Sequence, residues 1–161
     1  MVEQSRSAVE RGKLAPPEAV KYGIDCVLLT CFESDFIFWA PFFRPVGIRM
    51  RRAQTLEEAD FLLTVTDATV LLMDVVFLDG SWDDAVNMLA RFHPLVASLV
   101  IADEVDGAFV SDALNHGAFG VLWKPIELDK LRRSIRSASE ASEERSLWRR
   151  DLSSIVVPLN R

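Results

Sequence analysis

Short runs of consecutive apolar residues recur through the middle of the chain. Four of them are clear, and a fifth, Ile48–Arg51, is weaker because arginines interrupt it. A run that is apolar at nearly every position is typical of a strand covered on both faces, as in a parallel sheet. We therefore predict five strands with the weak run at an edge; the four clear runs are Cys26–Thr30, Ala68–Met73, Ser98–Ala102 and Phe119–Leu122.

Segments with helix-start signals separate these runs. Thr55 and Glu58 have the spacing of a capping box, in which a hydroxyl and a carboxylate each accept a backbone N–H. Ser81 opens another helix in the same way. Strand and helix alternate five times, so we predict an α/β fold with a doubly wound, five-stranded parallel sheet. The later helices are predicted over Trp82–Phe92, over Val105–His116 with Gly117 as its cap, and over Ile126–Arg149.

Charge divides the chain into three parts. Residues 24–126 include fifteen acidic and six basic side chains, and the apolar runs lie in the same stretch. We predict that residues 1–23 form a polar, flexible leader, that residues 24–139 form one folded domain, and that residues 140–161 form a helical extension and a tail. A chain of 161 residues, 50% of them hydrophobic, can supply one packed core.

Composition argues against several functional classes. A net charge of −6 gives no electrostatic attraction to nucleic acid or to an anionic membrane. The apolar runs are shorter than the ~20 residues of a membrane-spanning helix, and no secretory signal is visible. Cys26 and Cys31 are too close along one extended strand to form a disulfide, which predicts a reducing, cytoplasmic location. No Gly-rich phosphate loop, nucleophile elbow or Cys/His cluster occurs, and we predict that the chain is not an enzyme.

Two charged residues stand at the predicted ends of buried strands. Asp74 directly follows the second clear run, and Lys124 comes two residues after the fourth. The carboxyl ends of parallel strands lie at one edge of the sheet, so we expect Asp74 and Lys124 within salt-bridge distance. A purely structural role, with Asp74 capping a turn and Lys124 in solvent, explains these two residues equally well when they are taken alone.

The motifs around these residues resemble the receiver domain of two-component response regulators. The resemblance rests on Leu71–Asp74, Leu78–Gly80 and Gly117–Ile126, with Gly47 opening the second strand, and it covers about residues 25–138. It implies a flavodoxin-like (βα)5 fold, a cis peptide bond before Pro125, and an Mg²⁺-dependent phosphorylation site. In that site Asp74 is the phosphoacceptor and Lys124 contacts the phosphoryl group.

Other positions depart from the receiver pattern. In receivers, an acidic pair follows the first strand and binds Mg²⁺. The matching positions here are Cys31 and Phe32, and Glu33 comes one place later. The hydroxyl residue expected at the end of the fourth strand is Ala102, and the aromatic switch residue is Val121. Mg²⁺ prefers oxygen ligands, which leaves only Asp74 and Glu33 as candidates for its site. We therefore expect weak or absent Mg²⁺-dependent phosphorylation of Asp74.

An aromatic segment occupies the position of the first helix. Phe36–Pro45 contains five aromatic residues besides Pro41 and Pro45, and prolines shorten or kink a helix. One amphipathic helix cannot bury so many aromatic side chains. The segment is either an exposed patch that meets a partner or an enlargement of the core.

Three hypotheses for function follow. The first is an atypical receiver of a bacterial two-component phosphorelay that acts through protein contacts, with a sensor histidine kinase, an output protein and a second copy of itself as partners. The second is a phosphorylation-competent receiver in which Glu33 replaces the missing acidic pair. The third is a small flavodoxin-like cofactor binder that uses the aromatic segment.

Overall fold

A computed structural model describes residues 23–104 and 106–156, without the side chains of 154–156. Five parallel strands form one sheet in the order β2-β1-β3-β6-β7, so the chain winds first to one side of β1 and then to the other. The predicted doubly wound fold is confirmed, with the weak apolar run at an edge. The strands are β1 (Ile24–Leu29), β2 (Ile48–Ala53), β3 (Val70–Asp74), β6 (Ala97–Ala102) and β7 (Gly120–Trp123).

Among the described residues, four α-helices connect successive strands of the sheet and a fifth follows β7, and together they cover both faces. Helices α1 and α5 pack on one face, and α2, α3 and α4 pack on the other. Both faces of the central strands are buried, which explains why their sequences are apolar without alternation. The helices are α1 (Glu33–Phe43), α2 (Leu56–Val65), α3 (Trp82–Phe92), α4 (Gly107–His116) and α5 (Leu128–Val156).

The helix caps follow the sequence signals with one change of partner. Ser81 and Asp84 form the capping box at the start of α3. At the start of α2 the hydroxyl of Thr55 accepts the N–H of Glu58, as predicted, but the Glu58 carboxylate accepts the N–H of Gln54 instead of that of Thr55. Gly117 ends α4 with a φ of 113°, the left-handed conformation that a glycine cap favours.

Three features of the backbone extend or refine the prediction. The segment after Asp74, for which the sequence predicted no regular element, forms a hairpin of β4 (Val76–Phe77) and β5 (Gly80–Ser81). Helix α5 starts two residues later than predicted and continues to Val156. The peptide bond between Lys124 and Pro125 is cis, which confirms that expectation.

The predicted leader, residues 1–23, lies outside the described residues except for Gly23. Across the described part of the chain, no helix is both long and apolar enough to cross a bilayer.

Candidate functional site

A cavity of about 370 Å³ opens at the carboxyl edge of the sheet. Asp74 ends the central strand β3 and Lys124 follows β7, and both side chains line this cavity. The expectation that Asp74 and Lys124 lie at the same edge of the sheet is therefore confirmed. The rest of the wall is largely apolar, and consists of Cys31, Phe32, Val75, Val76, Ile101 and Ala102, together with Asp103.

Asp74 is buried and hydrogen-bonded to a hydroxyl. Only 7% of its surface is exposed, and its Oδ2 accepts a bond of 2.5 Å from Thr30 Oγ1. Burial raises the pKa of the Asp74 carboxyl, as do the charges of Asp35 and Asp103, while the Thr30 hydroxyl and the Lys124 charge oppose the rise. Thr30 Oγ1 in turn accepts the backbone N–H of Phe32 at 3.0 Å. The Thr30 hydroxyl thus makes bonds as donor and as acceptor.

Lys124 makes its ion pair with a residue that the sequence did not single out. Its Nζ lies 2.7 Å from Asp35 Oδ2, and the same ammonium sits 5.6 Å from the centre of the Phe32 ring. Burial lowers the pKa of Lys124, but the hydrogen bond and charge of Asp35, with the charges of Asp74 and Asp103, outweigh burial and raise the pKa above its ordinary value. The expected ion pair between Lys124 and Asp74 is therefore corrected: Lys124 acts on Asp74 through its charge and pairs with Asp35.

The strand register also corrects the position of the residue beside Asp74. Leu29 of β1 is level with Met73 of β3, so the next residue, Thr30, comes level with Asp74. The residues at the end of the first strand are thus Thr30 and Cys31, one place earlier than the Cys31 and Phe32 pair inferred from sequence. The physical reason is that the β1 ladder ends at Leu29, so Thr30, predicted as the last residue of the strand, already lies beyond it.

Few of the residues around Asp74 supply ligands suited to a magnesium ion. The Thr30 hydroxyl is already bonded to Asp74, Cys31 offers a thiol in place of a carboxylate, and the Asp35 carboxylate is paired with Lys124. Asp103 is the other carboxylate that lines the cavity. Glu33 is exposed in the first turn of α1 and does not line the cavity, so its role as a ligand remains only a prediction. In the described ranges, no three His, Cys, Asp or Glu side chains are grouped so as to hold a metal.

The two predicted switch positions lie in different surroundings. Ala102 is buried at the end of β6 and lines the cavity, so the wall there is a methyl group. Val121 is half-buried in β7 and packs among the residues of the α2, α3 and α4 face. Ala102 has no hydroxyl and Val121 has no aromatic ring, so neither has the group that the receiver pattern expects to respond to a change at Asp74.

Sequence reasoning missed Thr30 and Asp35, and a weak signal existed for each. Thr30 is the polar end of an apolar run, which places it at the same edge as Asp74. Asp35 lies in the first turn of the helix that follows, and that turn stands above the carboxyl end of β1. Choosing Asp35 over Glu33 required the register of α1, which its aromatic sequence does not reveal.

Comparisons with known proteins agree with this geometry. The response regulator PilR of Pseudomonas aeruginosa is 34% identical over 90 residues, which span 55% of this chain and 20% of PilR. The receiver domain of a LuxO repressor protein from Vibrio parahaemolyticus superposes with a TM-score of 0.71 at 15% identity, over 77% of this chain and 95% of that domain. The beryllofluoride-activated NtrC4 receiver domain dimer gives 0.68 at 21% identity, over 73% and 98%. No family model matches the chain.

The comparisons support the predicted recognition: the folded body of this chain has the fold of receiver domains and is similar in sequence to a response regulator. The PilR match supports the assignment in sequence, and the solved receiver domains support it in fold. The matched segment is one fifth of PilR by length.

Proposed function

We propose that this receiver domain is an atypical one, which transmits signals through protein contacts and does not depend on Mg²⁺-dependent phosphorylation of Asp74. The observation that carries the proposal is the bond from Thr30 to Asp74. It puts a neutral hydroxyl against the acceptor carboxylate, where a metal-binding receiver needs a carboxylate. Phosphoryl transfer to a carboxylate relies on nearby positive charge to offset the charge that develops, and here Lys124 is already engaged by Asp35.

The chemistry left to the site is binding without group transfer. Asp74 is a buried carboxyl with a raised pKa, next to an ammonium held in an ion pair, inside a largely apolar cavity. No described side chain acts as a nucleophile activated by a base, and we propose that the domain has no enzymatic activity of its own. Its output then passes through surfaces, to a protein partner in the cytoplasm and to a second copy.

The partners follow from the family. PilR is a response regulator, and receiver domains of this type receive signals from sensor histidine kinases, so a kinase is the proposed upstream partner. In an atypical receiver the kinase contact would persist as docking, without stable phosphorylation of Asp74. The surface of α4, β7 and α5 is the proposed output surface, as the resemblance to receivers implies.

A beryllofluoride titration tests the proposal. Trp123 is half-exposed next to Lys124, so its fluorescence reports on anything that draws the ammonium from Asp35. We expect no saturable change on addition of Mg²⁺ and beryllofluoride together. A Trp123→Phe variant identifies the part of the signal that comes from this residue, because the chain has four tryptophans.

The same titration decides the competing hypothesis, in which Glu33 completes a working site. A saturable change that Glu33→Ala abolishes would establish that hypothesis and overturn the atypical reading. A saturable change that survives Glu33→Ala would also overturn the atypical interpretation. It would mean that residues other than Glu33 bind the metal.

A further inference from the structure

The outer side of α1 is an exposed surface that is apolar between its two ends. Ile37 and Phe38 are 60% and 63% exposed, and Phe42 and Val46 are 46% and 41% exposed. The α1 face, as we call it, consists of Ile37, Phe38, Pro41, Phe42, Pro45 and Val46. These positions recur at intervals of one turn, so they form a stripe along the helix and the short 3₁₀ segment after it.

The face is not a by-product of core packing. The opposite side of α1 supplies Trp39, Ala40 and Phe43 to the core, and Phe43 is fully buried. The core therefore takes its buried residues from one side of α1, and of the outer residues Phe42 makes an edge-to-face ring contact with Phe43. A contiguous exposed apolar patch of a few hundred Å² is often functional, which makes this face a candidate interaction site.

The two ends of the α1 face carry opposite charge. Glu33 stands at its amino end, and Arg44 stands at its carboxyl end with Arg136 of α5, which donates to the carbonyl of Val46. Among the described residues, neither the Glu33 carboxylate nor the Arg44 guanidinium has a side-chain partner. An acidic end, an apolar middle and a basic end complement the same surface when it is turned through 180°.

We propose that the α1 face binds a second copy of this chain, with the two α1 helices antiparallel across a two-fold axis. In that arrangement Glu33 meets Arg44 of the partner subunit, and Arg44 meets Glu33 of the partner subunit. The apolar stripes pack on each other, and the two helix dipoles oppose. The acidic end makes an anionic membrane a poorer occupant than a second copy.

The exposed area predicts a weak dimer. The face offers roughly 450 Å² of apolar surface per protomer, or about 900 Å² in the pair. That is below the ~1,200 Å² of a small stable interface, so we expect a dissociation constant in the micromolar range. This contact is separate from the α4, β7 and α5 surface, and it requires no ligand at Asp74.

Sedimentation velocity on the full chain, without Mg²⁺ or beryllofluoride, tests the inference. Over about 1 to 200 µM protein we expect the monomer to convert to a dimer. Phe38→Glu should weaken the dimer at least ~10-fold by placing a charge in the apolar contact. The matched control is Phe61→Glu, which alters an equally exposed phenylalanine, at 62%, on α2 across the sheet and should leave the dimer intact.

Charge reversal tests the antiparallel arrangement. Glu33→Arg and Arg44→Glu should each weaken self-association about 3- to 10-fold. An equimolar mixture of the two variants should restore it, because every end-to-end contact in the mixed dimer then joins opposite charges. Circular dichroism confirms that each variant is folded.

Three results would overturn the inference. The first is a wild-type chain that stays monomeric over the whole range. The second is a dimer that Trp123→Glu dissociates and Phe38→Glu does not, which would place the contact at β7. The third is a charge-reversal mixture that associates no better than either variant alone.

Discussion

The side chains on the inner side of α1 are paired or buried within the chain, whereas those on its outer side are exposed. On the inner side, towards the cavity and the core, Asp35 pairs with Lys124 and Phe43 is fully buried. On the outer side, Ile37, Phe38 and Phe42 remain exposed. The inner groups are satisfied within the chain, so they have little left to offer a metal or a phosphoryl group. The outer groups can be satisfied only by another molecule, which is why we place the function of this domain at its surface.

The prediction with the largest expected effect on unfolding free energy compares two phenylalanines of α1. Phe43→Ala removes a fully buried ring and should cost about 3–5 kcal/mol of unfolding free energy, whereas Phe38→Ala should cost under ~0.5 kcal/mol. Urea denaturation followed by circular dichroism, at protein concentrations where the chain is monomeric, measures both. If Phe43→Ala does not fold, Phe43→Leu should still cost ~1–2 kcal/mol. Equal losses for Phe38 and Phe43 would abolish the contrast.

The fold was largely predictable from sequence, because strands buried on both faces of a parallel sheet have a distinctive, almost wholly apolar sequence. Val70–Met73 and Ser98–Ala102 are apolar almost throughout, and the caps at Ser81 and Gly117 bound the helices between strands. The meeting of Asp74 and Lys124 also followed from topology alone, since carboxyl ends of parallel strands share an edge.

The pairing of polar groups at that edge was not predictable. Thr30 is compatible with strand or loop, and only the ladder of Leu29 with Met73 brings it level with Asp74. Glu33 and Asp35 lie in the same helical turn, about 200° apart around the axis, so the register of α1 decides which carboxylate reaches Lys124. These choices depend on shifts of one residue, to which hydrophobic patterns are insensitive.

A second prediction concerns the ion pair on the inner side of α1. Lys124→Met leaves Asp35 and Asp74 without their cation in a partly buried site, and should cost about 1–2 kcal/mol of unfolding free energy. Lys130→Met is the matched control, because Lys130 is an exposed lysine on the other side of Trp123, and it should cost under ~0.5 kcal/mol. A double-mutant cycle with Asp35→Asn should give a coupling of at least ~0.5 kcal/mol. No coupling would mean that the pair does not organise the site.

A third prediction uses the pH dependence of stability. Burial raises the pKa of Asp74, so the folded chain holds this proton to a higher pH than the unfolded chain does. The contribution of Asp74 to stability is therefore fully present below the ordinary carboxyl pKa of ~3.9, and is lost as the pH rises through the folded pKa. At pH about 8, Asp74→Asn should be more stable than the wild type by on the order of 1 kcal/mol, or ~3–5 °C in Tm, with the difference shrinking towards pH about 4.

Thermal melting across this pH range, with the exposed Asp67→Asn as control, checks that sign. The control should show no comparable gain at any pH. A wild type more stable than Asp74→Asn at pH about 8 would show that the Asp74 carboxylate is stabilised as an anion, which is the state a phosphoacceptor site maintains.

Magnesium should have the smallest effect, and it tests the inner side of α1 most directly. A site with a dissociation constant of about 1 mM would raise the unfolding free energy by ~1.4 kcal/mol at about 10 mM Mg²⁺. We expect a Tm change under ~0.5 °C for the wild type, measured against NaCl of equal ionic strength, because Thr30 stands beside Asp74 without a carboxylate.

The variant Thr30→Asp sharpens this last measurement. It places a second carboxylate level with Asp74, so it should lower the Tm without metal through like-charge repulsion, and Mg²⁺ should recover part of that loss. Thr30→Val is the control, since it removes the hydroxyl without adding charge and should not gain a response. If the wild type responds to Mg²⁺ as strongly as Thr30→Asp does, the Thr30 hydroxyl does not exclude the ion. The cavity at Asp74 would then be a working metal site in spite of its apolar wall.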